Sequence, residues 1–324
     1  MKRFAIFAGL AGAVFLGLWI AVATTGVRVM PSYLAAWVFC LALPAGALPL
    51  VMAAELSGIE GATVSALRGL LVLMPAAAIA AVPILTALPK LYGWEGGAQD
   101  GPWFTPVAVS IRVVVALGLW SLLALLLLRE TRQPRRLLCI AGLTLHPFLA
   151  TMVASDIVLS LGNHMSAAGF GFLFMIDQCV IAVSAALLLA PAAPAGILLA
   201  ALLSAWGFLH FIQYLVIWSA DKPAEITWYL QRGGVWGQAA VWFSVVALLP
   251  VSLLAWRQKT ASTLALTAAS IVLATHALEV LWLVTPSVRG SFFLSPADLF
   301  ALLGLTLLCA ALLLARTPDL PKPI

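Results

Sequence analysis

The sequence predicts an all-α, polytopic integral membrane protein of about ten transmembrane helices arranged as helical bundles. Three observations predict it. Of the 324 residues, 64% are hydrophobic and only 9% are charged, against about 25% charged in a soluble domain. Apolar runs of about 20 residues recur along the chain, enough to cross a ~30 Å hydrocarbon layer as helices. The runs are too long for membrane strands and lack their strict alternation. The chain reads as one membrane domain over 1–324, with four spans in 1–136 and six in 137–324. The net charge of +5 calls for no nucleic acid. Its basic residues lie in loops beside the spans, where lipid and topology account for them.

Spans are expected near 4–24, 31–54, 64–88, 105–128, 137–161, 166–190, 195–218, 234–256, 261–283 and 296–316. The first offers Gly9, Gly12 and Gly17 as close-packing points. Lys2, Arg3 and an Ala21-Val22-Ala23 triplet also fit a signal peptide, but the run is long and the other spans follow it directly, so it is read as an uncleaved helix. The second has Pro31 at its start and Pro44 inside, where a kink is expected. Glu55 and Glu60 follow in a short loop. The third carries Arg68, Pro75 and Pro83. Loop 89–104 is glycine-rich, with Trp94 and Trp103 as interface anchors. The fourth span holds Arg112. The fifth holds His146, Asp156 and Ser160, and Asn163 and His164 form a turn after it. The sixth has Asp177. The seventh carries Trp206, His210 and Gln213 at helical spacing, on one face. Its apolar run stops at Trp218, and a loop follows that crowds together Asp221, Glu225, Trp228, Tyr229 and Arg232. The ninth has His276 and Glu279 three apart, again on one face, and the tenth begins with Asp298.

Basic residues orient these spans. With the N-terminus inside, the inner segments hold ten Lys and Arg and the outer segments five. The cluster at 129–136 dominates. Both termini are expected on the cytoplasmic side, with 219–233 outside. Arg112, Asp156, His210, Gln213, His276, Glu279 and Asp298 then fall in the outer half of the bilayer, and Asp177 lies near its middle. Buried ionisable groups in membranes usually line an ion or proton path or a ligand site; the plainer reading is separate polar pairs that hold helices together. We expect Asp156, His210 and Glu279 to share one interior space, with Arg112 as counter-charge. Glu225, Trp228, Tyr229 and Arg232 read either as aromatic anchors or as a partner-docking surface.

The four cysteines sit one to a span, and no spacing suits a metal, haem or iron–sulfur cluster. No phosphate or dinucleotide loop occurs. No metal site and no catalytic residue are assigned from sequence. Two readings from other classes stay open here: a secondary transporter or proton-coupled carrier, for which the repeat signal is weak, and a non-catalytic assembly or anchor subunit.

Three stretches carry a family resemblance. The run from Phe211 to Arg232 is similar to FSQxLLIWYANxPEExxWYxxR: Gln213, Ile217, Trp218, Ala220, Pro223, Glu225, Trp228, Tyr229 and Arg232 fit, while Ser219 and Asp221 depart. Residues 155–171 are similar to DWxMSLExHWYSTxFG, with Asp156, Ser160, Leu161, His164 and Ser166 matching. There Ile157 replaces a Trp and Gly162 an acid. Residues 276–286 are similar to VDLYWLxxP through Glu279, Trp282, Leu283 and Pro286. Together they resemble the ActF subunit of bacterial alternative complex III, related to NrfD-like and polysulfide-reductase membrane subunits.

The resemblance covers roughly 145–320 and implies ten helices with two four-helix bundles. It implies a membrane subunit of a quinol-oxidising respiratory complex, with quinone or quinol bound non-covalently. Iron–sulfur clusters and haem c would sit on partner subunits, beside a homologous membrane subunit. Asp156, His210, Gln213, Glu279, Asp177, His276 and Arg112 are then the candidates for quinol binding or proton transfer, because quinol oxidation releases protons that need nearby bases.

Overall fold

A computed structural model describes residues 2–24, 28–92, 103–129, 135–162, 169–191, 193–235, 237–238 and 262–316. No strand occurs among them, and nine of their helices are long and apolar enough to cross a membrane. The chain is an all-α, multi-pass membrane protein. The expected span 234–256 lies outside the described residues from 239 onward, as do Asn163 and His164.

The spans are α1 (Lys2–Ala23), α2 (Met30–Ser57), a broken third span of α3 (Ala62–Leu70), α4 (Met74–Ala80) and α5 (Val82–Leu91), then α6 (Pro106–Leu128), α7 (Arg136–Val153), α8 (Phe170–Leu189) and α9 (Ala193–Ala220). A short α10 (Pro223–Gln231) precedes α11 (Ser262–Arg289) and α12 (Pro296–Arg316). Helix α2 is the centre. It is apolar on every side, as a fully enclosed helix must be, and it packs on α3, α7, α8, α11 and α12. Gly46 marks its crossing with α8: a Cβ there would lie 2.0 Å from the Gln178 carbonyl oxygen. Only glycine permits that approach of two backbones. The α2 helix runs unbroken through Pro44 and Pro49.

Proline acts in the third span instead. A 3₁₀ turn at Leu71–Leu73 comes just before Pro75, and Ala81 forms a turn just before Pro83. Each proline lacks the N–H that would continue the ladder. Helix α1 lies along α12. Of its three candidate glycines only Gly12 is tightly packed, with a Cβ position 2.9 Å from the Gly304 carbonyl oxygen. Gly9 has ordinary contact, and nothing approaches Gly17 within 4 Å.

Two features position the polar groups. Helix α7 ends in a π turn over Ala154–Val158, then a 3₁₀ turn over Leu159–Leu161. Such turns widen the helix by one residue and recur at functional sites. Helix α11 runs to Arg289, beyond the expected end at 283. There the guanidinium donates to both oxygens of Asp298 (2.9 and 2.7 Å) and to Ser32 Oγ (2.9 Å). That fork ties the end of α11 to the starts of α2 and α12.

Candidate functional site

The polar candidates separate into three groups. The first joins α8, α9 and α11. Trp206 and His210 stand one turn apart on α9 and both reach Glu279 of α11. Trp206 Nε1 donates to Oε1 at 2.9 Å, and His210 Nε2 lies 2.7 Å from the same oxygen. In the tautomer protonated at Nε2, the His210 ring donates to this oxygen and leaves the Nδ1 lone pair free,. The Trp206 ring also meets both imidazoles, at 4.7 Å for His210 and 5.3 Å for His276.

Behind Glu279 lie His276, one turn earlier on α11, and Asp177 of α8. His276 Nε2 is 3.6 Å from Asp177 Oδ1 and 3.8 Å from Glu279 Oε2. One ligating atom from each of the three falls within 4.8 Å of the others. All three residues are buried, whereas the His210 side chain stays 23% exposed. His210 is therefore the edge through which this group meets its surroundings. Gln213 is partly buried beyond it.

The second group is Arg112 on α6 with Asp156 in the π turn. The guanidinium grips the carboxylate through Nε (2.8 Å) and Nη2 (2.9 Å). It also reaches the Trp103 carbonyl at 3.0 Å and lies 4.3 Å from the Trp103 ring centre. The Tyr92 hydroxyl donates to the neighbouring Ile157 carbonyl at 2.7 Å. Arg112 is thus the counter-charge of Asp156. Of the three residues expected to share one space, His210 and Glu279 are in direct contact. Among the described residues no hydrogen bond or ion pair joins Asp156 to them, and its two carboxylate oxygens are both held by Arg112.

The third group corrects the docking surface. Residues 223–231 form α10 rather than an open loop, entered at Asp221 with φ 48° and started by Pro223, which suits a first helical turn. Arg232, expected as an exposed charge, is buried. It donates to the carbonyls of Trp228 (2.9 Å) and Leu283 (2.6 Å) and to Ser287 Oγ (2.7 Å), with its guanidinium 3.5 Å above the Trp228 ring. In return Trp282 Nε1 donates to the Arg232 carbonyl at 3.0 Å. Burial pulls the guanidinium down to about 9, still cationic at neutral pH. Glu225 and Trp228 are also buried, and Tyr229 partly so, edge-on to Trp228 at 4.9 Å. These side chains turn inward because α10 lies across α9 and α11, and they pin this segment to its own chain.

Gly162 belongs to the same knot. A Cβ there would sit 3.0 Å from the Trp228 ring, so a side chain needs that ring to give by a few tenths of an ångström. The three stretches that carry the resemblance therefore meet in space, at Gly162, Trp228–Arg232 and Trp282. His146 is isolated: it is buried beside Trp120 at 5.6 Å, and neither ring nitrogen has a partner among the described residues.

Sequence spacing pointed to Trp206 with His210 and to His276 with Glu279. It had no signal for their convergence on one carboxylate, nor for Asp177 closing the group from a helix about a hundred residues earlier. Compared with known protein families and with characterised proteins, the chain has no significant match.

Proposed function

We propose that this chain is a membrane subunit of a quinol-oxidising respiratory complex of the alternative complex III type, in a bacterial inner membrane. The observation that carries the reading is the His210–Glu279 pair, held by Trp206 on two membrane-spanning helices and open at His210. Quinol oxidation releases two electrons and two protons. A base within hydrogen-bond reach of a hydroxyl lowers the barrier to the first proton's departure. The His210 Nδ1 offers that base. Glu279 fixes the tautomer through Nε2–H and stabilises the imidazolium that forms, as a carboxylate does behind any catalytic imidazole. The electrons would leave through iron–sulfur and haem groups on partner subunits, as the family resemblance implies.

His210→Ala and Glu279→Gln, made in the assembled complex, should each lower quinol:acceptor turnover by about 10²–10⁴-fold. Subunit composition should not change. Full turnover in both variants, or purification of the chain from its native membrane without any redox partner, would remove this reading.

A further inference from the structure

Three polar atoms inside the bundle face one another and nothing else. They are Asp177 Oδ1 on α8 with His276 Nε2 and Glu279 Oε2 on α11. Each is buried, and each lacks a hydrogen-bond partner among the described residues. The separations of 3.6 and 3.8 Å are too long for hydrogen bonds. Such orphaned atoms are rare in folded proteins and call for an occupant.

The far sides of His276 and Glu279 are held. His276 Nδ1 lies 2.9 Å from the Val272 carbonyl oxygen. That oxygen can only accept, so Nδ1 bears a proton and, in the neutral ring, Nε2 turns its lone pair into the gap. Glu279 Oε1 is taken by Trp206 and His210, which leaves Oε2 directed the same way. Metal-binding imidazoles and carboxylates are commonly oriented by bonds of this kind on their outer atoms.

We propose that Asp177, His276 and Glu279 bind one divalent transition-metal ion, of which zinc is the best fit. Charge favours it: two carboxylates and a dication cancel, which removes the cost of two anions side by side in a membrane interior. Ligand type favours it, because an imidazole nitrogen with carboxylate oxygens suits zinc, iron or manganese, whereas calcium takes six to eight oxygens and magnesium keeps its waters. Geometry favours it as well. Zinc ligands at 2.0–2.2 Å in a tetrahedron stand roughly 3.3–3.6 Å apart. The observed 3.6 and 3.8 Å from the imidazole to the two carboxylates need to close by only a few tenths of an ångström, and one ligating atom from each of the three residues lies within 4.8 Å of the others. Three protein ligands leave one position open. His210 bonds the other oxygen of Glu279 and is not a ligand. The inference rests on the orphaned atoms and stands apart from the quinol reading.

The test uses the full chain in detergent, stripped with a chelator and reloaded with Zn²⁺ or Co²⁺. Elemental analysis should find about one ion per chain, and the cobalt form should show the intense visible absorption of a four-coordinate site. Asp177→Asn, His276→Gln and Glu279→Gln should each lower occupancy at least about tenfold, while His210→Ala should stay within about twofold. Wild-type occupancy below about a tenth after both reloadings would overturn the site, and so would full occupancy in Asp177→Asn. The wild-type cobalt spectrum decides the matter even if a variant fails to fold. Metal bound without quinol turnover would sink only the earlier proposal.

Discussion

At the scale of single residues, the ion pair in the π turn has the clearest energetic consequence. Asp156 is 1% exposed and both its oxygens are held by Arg112. Removing one partner leaves a charge buried alone, which costs about 3–5 kcal/mol. Arg112→Ala should lower stability in detergent by that amount, and adding Asp156→Asn should recover most of it. A double-mutant cycle on thermal or denaturant midpoints reads the coupling, and additive losses would show that the pair does not act as a unit. This pairing was legible in sequence, because a charge at that depth requires a partner and few were on offer. The inward turn of Arg232 was not. In a string of letters, an arginine beside a glycine-rich stretch has the signature of an exposed loop. Its burial depends on two carbonyls and a hydroxyl that come free only where α10 crosses α11. Gly162 was misleading for the same reason: what reads as a lost acid is the space that Trp228 fills.

At the scale of elements, irregular helix geometry does the positioning. Hydrophobic run length located the described spans to within a few residues, the end of α11 at Arg289 excepted, since a bilayer sets that length. Run length says nothing of a π turn, which adds one residue without changing the apolar pattern. The turn over Ala154–Val158 decides which way Asp156 faces. Deleting Ser155 should convert it to ordinary α-helix and rotate Asp156 by roughly 100° about the axis, away from Arg112. The pair would then be broken before any side chain is changed. Arg112→Ala, costly in the parent chain, should cost under about 1 kcal/mol in the deletion background. An undiminished cost there would mean that the carboxylate finds Arg112 by another route, and that the π turn is incidental. The broken third span follows the same logic with a visible cause: Pro75 and Pro83 each sit just after the interruption, as their missing N–H demands.

At the scale of the whole molecule, the number of crossings between two loops constrains topology independently of any family. Between Arg136 and Arg232 lie the spans Arg136–Leu161, Phe170–Leu189 and Ala195–Ala220, each long and apolar enough to cross. Helix α10 is only nine residues, too short to cross,. Three crossings are an odd number, so residues on either side of this segment face opposite compartments. The four arginines at 129, 132, 135 and 136 select the cytoplasm for the first, as basic loops do. A green fluorescent protein fused after Arg136 should therefore be bright, and alkaline phosphatase fused after Arg232 should be active. The reciprocal fusions should be dark and inactive. Equal behaviour at both sites would mean that one of the three spans does not cross. Helix α8 would be the first suspect, because its buried faces against α2 and α11 leave it least in contact with lipid. Opposite compartments in the reverse sense would keep the three crossings and reject only the arginine argument. That would place His210, and the edge through which the Glu279 group meets its surroundings, in the cytoplasmic half of the membrane.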